Sequence, residues 1–182
     1  MNMGVKIKGM ERLRSKVNAL PKVLNEALNS ATYEITELVR ASAELRLSSS
    51  MKFSSGELLG SLKSEVVIDS DGMLVGRVWS DKAQAIYREF GTGPVGENSP
   101  KDLPEDIHPV YTQTRWFIPA SEVGMNLTEA YGIPKITIEG KEFYISRGQP
   151  SHPFLYPALK EILPQAPEIY KEHVQEKLRE LK

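Results

Sequence analysis

Lys63-Ser64-Glu65-Val66-Val67-Ile68-Asp69-Ser70-Asp71-Gly72-Met73-Leu74-Val75-Gly76-Arg77-Val78-Trp79-Ser80 is the stretch on which the fold turns. Lys63 to Asp69 is rich in β-branched residues, and Met73 to Ser80 carries Leu74, Val75, Val78 and Trp79. Ser70-Asp71-Gly72 stands between them. An Asp-Gly pair between two β-forming runs supplies the backbone freedom that a tight connection needs, so the reading is a hairpin of two antiparallel strands.

Upstream the period changes. Leu13, Val17, Leu20, Leu24, Ala27, Leu28, Ala31, Ile35, Leu38, Ser42 and Leu45 follow in steps dominated by three and four, the spacing of one helical face. Pro21 lacks the N–H that a helix interior uses. The expectation is therefore a short first helix, then a long one with Pro21 in its first turn, ending near Leu47. The stripe fits packing on a sheet or pairing with a helix of another subunit. Ser54 with Glu57 has the form of a capping box opening a single helical turn.

Downstream, Asp81 is the expected cap of a short helix with Ala83, Ile86, Tyr87 and Phe90 on one side, stopped by Gly91. From Pro94 to Pro134, six prolines and several glycines forbid long regular elements, leaving a long loop with a short strand at Arg115-Trp116-Phe117-Ile118. Such a segment is commonly functional or a docking arm. Lys135 to Ser146 reads as a second hairpin turning at Glu139-Gly140. Ala158 to Leu181 reads as a C-terminal helix, rebroken near Pro164 and Pro167.

The chain has 182 residues, enough for a single domain spanning 1–182 with 94–134 as an insertion. Lys and Arg number 23 against 24 Asp and Glu, so there is no basic excess of the kind that grips phosphates. Cysteine is absent, which removes disulfide frameworks and thiolate metal sites. No apolar run has the length of a signal peptide or a membrane span, and the expectation is a soluble protein.

Little in the chain suggests chemistry. His108, His152 and His173 lack the spacing of a metal site, and no cofactor is expected. No Gly-x-Ser-x-Gly elbow is present. Gly91-Thr92-Gly93 lacks the Lys-Ser/Thr of a phosphate loop; its glycines suit a sharp turn instead. Glu89 can be read as a general acid or base, or as half of an ion pair with Arg88, Arg77 or Arg147 that fixes a loop. His152 reads as a packed or interface residue. Phe154 and Leu155 either staple the last helix to the core or face a neighbouring subunit.

The order of motifs adds a resemblance. A long helix is followed by Ser55-Gly56-Glu57-Leu58-Leu59-Gly60-Ser61-Leu62, the hairpin, Tyr87-Arg88-Glu89-Phe90-Gly91-Thr92-Gly93, an insertion, Pro150-Ser151-His152-Pro153-Phe154-Leu155-Tyr156-Pro157-Ala158-Leu159, and a last helix. This resembles the tail-component family of long-tailed phages. The motif residues are Gly56, Leu58 and Ser61; Glu89, Phe90, Gly91, Thr92 and Gly93; and Pro153, Phe154, Leu155 and Pro157. His152 stands where arginine is common, and Lys52-Phe53 replaces a usual proline.

The resemblance implies an α+β fold: a small, mostly antiparallel sheet packed by the long helix, with the Pro/Gly-rich insertion and a C-terminal helix. It also implies a structural role, completing the tail and joining it to the head. The partners implied are other copies in a ring, six-fold by tail symmetry, plus the tail terminator and head–tail connector proteins. The site implied is the virion neck, after assembly in the host cytoplasm, without membrane or specific nucleic acid. Two other readings remain at this level: an adaptor binding nucleic acid or protein, and a hydrolase using Glu89.

Overall fold

The computed structural model describes residues 9–49 and 56–181. The chain gathers into two compact units. One comprises Met1–Ala41, Lys63–Trp79 and Leu159–Lys182, and the other Ser42–Leu62 and Ser80–Ala158. The class is α+β, with a long N-terminal helix, small antiparallel sheets and a C-terminal helix. None of the described helices is long and apolar enough to cross a membrane.

Helix α1 runs unbroken from Met10 to Ser49, with Pro21 inside it. The expected break at Pro21 is absent. Proline removes one N–H, the one that would bond to the Val17 carbonyl. Both residues are exposed, so water can serve that carbonyl.

In the first unit the middle of α1 buries Ala27, Ala31 and Val39 together with Thr32 and Thr36. The two threonines are satisfied. Thr32 Oγ1 donates to the Leu28 carbonyl at 2.8 Å, and Thr36 Oγ1 to the Thr32 carbonyl at 2.6 Å. Strands β1 (Leu62–Ile68) and β2 (Leu74–Ser80) form the first hairpin. Its turn is tied by Asp69, whose carboxylate accepts the N–H groups of Asp71 and Met73 at 3.0 and 2.8 Å. Gly76 brings β2 against α1. A Cβ there would lie 2.0 Å from Thr36 Oγ1. Ser64 on β1 bonds to Glu37, which also pairs with Arg40. From the C-terminal helix (Ala166–Glu180), Tyr170 shares a 2.8 Å hydroxyl bond with Thr32, and His173 meets Glu34 at 2.7 Å. The buried face of α1 is thus displaced from the expected stripe: Ala27 and Ala31 belong to both, but Leu28 and Leu38 of the stripe are exposed, while Thr32, Thr36 and Val39 outside it are buried. The first turns of α1, with Met10, Leu13 and Val17, stay more than half exposed.

The second unit is built on Ala43, Leu47, Leu62, Ala85, Tyr144, Phe154 and Ala158. Ser54 of the expected capping box lies outside the described residues. Just beyond Glu57 the chain forms a 3-10 turn, Leu59–Ser61. Helix α2 spans Ala83–Phe90, but its cap residue is Lys82, not Asp81, and no side chain caps it. The Ser80 hydroxyl, accepting the Lys82 N–H at 3.1 Å, supplies the turn's acceptor one residue earlier. Nor is the expected side of α2 the buried one. Ala85 and Glu89 face inward, while Ile86 and Tyr87 are exposed.

The insertion holds more structure than a loop. It contains α3 (Gly93–Asn98), strand β3 (Trp116–Pro119), a 3-10 turn and α4 (Leu127–Tyr131). Helix α4 fits between Asn126, whose side chain accepts the Thr128 N–H, and Gly132 in the left-handed region. Strands β4 (Lys135–Ile138) and β5 (Lys141–Ser146) form the second hairpin as expected, and β3 joins the other side of β5. Both pairings are antiparallel. Helix α5 (Leu155–Ile162) then leads through a 3-10 turn containing Pro164 into the C-terminal helix, α6 (Ala166–Glu180), with Pro167 in its first turn. That is where the sequence placed the breaks.

Candidate functional site

Two of the three motifs meet in the second unit, and Glu89 joins them. Its side chain is 4% exposed. One oxygen, Oε2, accepts the N–H groups of Phe154 and Leu155 at 2.7 and 3.0 Å. The other accepts the Tyr156 N–H at 2.9 Å. These are the orphan donors at the start of α5, where the helix dipole also favours an anion. A cap normally comes from the residue just before the helix; this one comes from 65 residues away. The expected ion pair with Arg88, Arg77 or Arg147 is replaced by this clasp, in which three converging N–H groups take three of the carboxylate's roughly four acceptor directions.

The backbone strengthens the same joint. Arg88 C=O accepts the His152 N–H at 2.8 Å, and Gln149 C=O accepts the Thr92 N–H at 3.0 Å. Thr92 Oγ1 takes the Gln149 N–H at 3.1 Å, while the Gln149 amide donates to Tyr87 C=O at 2.8 Å. For the two segments to lie this close, Gly91 must have no side chain. Its φ is 76°, and a Cβ would stand 2.7 Å from Gly96 Cα and 2.8 Å from Ser151 N. The sharp turn expected at Gly91-Thr92-Gly93 is therefore present, with Gly93 also buried.

Phe154 is fully buried and staples α5 to the unit's own core; Pro153, Leu155 and Pro157 beside it are half-buried. Burying a phenylalanine contributes about 1.5–3 kcal/mol. Phe90 is half-buried, and its carbonyl accepts the Tyr111 hydroxyl at 2.9 Å. The first motif forms a separate joint. Gly56 is exposed and Leu58 half-buried. Ser61 donates to Leu58 C=O and shares a 2.6 Å bond with Ser80, while Glu57 pairs with Lys82. Tyr111 and Gln149 are the contributors that sequence reading missed. Tyr111 is a lone aromatic in a proline-rich tract, with no period to mark it.

Above the clasp lies an open groove of about 1980 Å³. Its walls include Tyr87, Trp116, Phe117 and Tyr131, all substantially exposed, and Val110, which is 98% exposed. Burial holds the Arg88 guanidinium below its usual range. His152, expected to be a packed or interface residue, is exposed on this groove and so is not packed; partial burial and then the charge of Arg88 push its pKa down. Neither His152 nor His108 shares a side-chain hydrogen bond with an acid or hydroxyl among the described residues. The Ser151 hydroxyl is buried without a partner. No group of three or more His, Asp or Glu among the described residues is placed to hold a metal ion.

Comparison with family models, characterised sequences and solved structures finds no match.

The arrangement therefore offers a rigid joint under an aromatic surface. Glu89 is held by three backbone donors, and the two histidines on the groove, His108 and His152, have no acid or hydroxyl partner among the described residues.

Proposed function

We propose that this chain is a structural component of a phage tail or neck, completing the tail and helping to join it to the head as one of several copies in a ring. The reading rests on the resemblance carried by the ordered motifs. The single observation that best supports it is the Glu89 clasp. Glu89-Phe90-Gly91 and Pro153-Phe154 have a common structural reason to occur together, since the carboxylate of one caps the helix opened by the other. A motif pair of this kind is the signature of a scaffold, and it uses the carboxylate that a hydrolase would need.

On this reading the surfaces offered to neighbouring subunits are those the motifs shape. The aromatic groove, walled in large part by the 94–134 insertion, makes the contacts, while Phe154, Glu89 and Gly91 hold it in place. A ring needs head-to-tail contacts that close, and the tail terminator and head–tail connector are the partners.

Gene inactivation in the encoding phage tests this. The expected result is filled heads and unjoined or unfinished tails, rescued by the wild-type chain supplied in trans. Infectious particles with normal tails would refute the proposal.

A further inference from the structure

The β3-β5-β4 sheet has two edges of unequal chemistry. The Glu139-Gly140 turn closes the Ile138↔Lys141 pair, and the register continues through Ile136↔Phe143. Ile145 N–H donates to Pro134 C=O at 2.8 Å, which places the hydrogen-bonded pairs on Pro134, Ile136 and Ile138. Alternation then turns the N–H and C=O of Lys135 and Thr137 outward. On the other side, Trp116 and Ile118 lie opposite Ser146 and Tyr144, whose groups face β3. Phe117 and Pro119 thus point to the far edge, which Pro119 blunts because it has no N–H. On β4 the proline falls on the inward side, and the outer edge keeps its donors.

We propose that β4 is a self-pairing edge, through which two copies of this chain join antiparallel with Thr137 opposite the partner's Thr137. The sequence Lys135-Ile136-Thr137-Ile138-Glu139 is complementary to itself in that register. Lys135, which also pairs with Glu142 of its own sheet at 2.6 Å, stands opposite the partner's Glu139, and Ile136 opposite the partner's Ile138. The hydrogen-bonded pair falls on Thr137, an odd-numbered residue whose backbone groups already face out. Sliding by one residue breaks this parity, and any other slide separates the opposite charges. The two-fold axis through Thr137 stands perpendicular to the sheet and keeps each face on its own side. Ile136 and Ile138 share their face with Phe117, Phe143 and Ile145, none of which is buried. Pairing joins the two apolar faces into one and sets each isoleucine against another at close cross-strand distance.

The contact is small. Glu139 has φ 49°, so the ladder ends there and its side chain alone reaches the partner's Lys135. A four-residue strand buries far less than the roughly 1,600 Å² of a standard interface. The dimer is accordingly weak and reversible. It goes beyond the virion reading and does not rest on it.

Sedimentation equilibrium of the full chain from about 10 µM to 1 mM tests the proposal, with association expected in the upper part of that range. Thr137→Pro removes an N–H that serves no internal bond, so the far-UV spectrum and melting should hold while dimerisation weakens at least about tenfold. Glu139→Lys opposes two like charges and should weaken it roughly fivefold. Adding Lys135→Glu together with Glu142→Lys, which preserves the pair within the sheet, should return affinity to within about threefold of wild type. A monomer throughout the range, or a dimer indifferent to Thr137→Pro, overturns the edge. Failure of the charge exchange to restore affinity overturns the register.

Discussion

Replacing Glu89 with Gln changes shape little and removes both the charge and one acceptor. The wild-type carboxylate serves three N–H groups with two oxygens. A carboxamide offers one oxygen, and its NH₂ would face a backbone donor. One buried N–H is then left unsatisfied, which costs about 1–3 kcal/mol. The other two bonds lose their charge assistance, about 1 kcal/mol each. The sum is about 4 kcal/mol, a large part of the 5–15 kcal/mol that holds a typical domain. Urea unfolding measures it. Trp79 lies in the first unit and Trp116 in the second, so a Trp79→Phe background makes Trp116 fluorescence report the clasp. With a slope near 2 kcal/mol per molar, the midpoint should fall by about 2 M. An unchanged or raised midpoint would refute the reasoning. A midpoint that rises is what a catalytic carboxylate, kept at the expense of stability, would give.

The neighbouring joints give further expectations. Gly91→Ala must place a Cβ at positive φ against two backbone segments, and should cost about 3 kcal/mol or more by the same Trp116 unfolding. Gly76→Ala drives a methyl into Thr36 Oγ1. It should cost about 1–3 kcal/mol by thermal or chemical melting, and Thr36→Ala in the same chain should recover part of that. His152 has a folded pKa below its unfolded value near 6.5, so the unfolded chain binds the proton more readily. Stability contributed by neutral His152 is full above about pH 6.5 and is lost as pH falls through the folded value. Melting curves from pH 8 to 5 should show this loss, reduced in His152→Gln; an identical pH dependence in both proteins contradicts it.

Local signals carried much of the fold. Ser70-Asp71-Gly72 and Glu139-Gly140 marked both hairpins because turn chemistry is written in adjacent residues. Pro164 and Pro167 marked the kink before α6 for the same reason. Pro21 misled because a missing N–H is costly only where its carbonyl is buried, and exposure is not visible in a periodicity. The motif residues were legible as a set, but their mechanism was not. Glu89 beside Arg88 suggested an ion pair, whereas its partners are backbone groups 65 to 67 residues further on. The inward turn of Ala85 and Glu89 followed from that bond and reversed the expected face of α2. The pairing of β3 with β5 likewise joins residues 24 to 30 apart, with a 3-10 turn, α4 and the second hairpin's first arm between the strands.

On the proposed reading this chain is encoded by a tailed phage and the clasp serves a part of its virion. Quantitative mass spectrometry of purified, tail-complete particles of the encoding phage addresses it directly. Peptides of this chain should then appear at a fixed ratio to the portal subunit, about six copies if the tail symmetry is followed. Particles that are infectious and contain none of these peptides would contradict it.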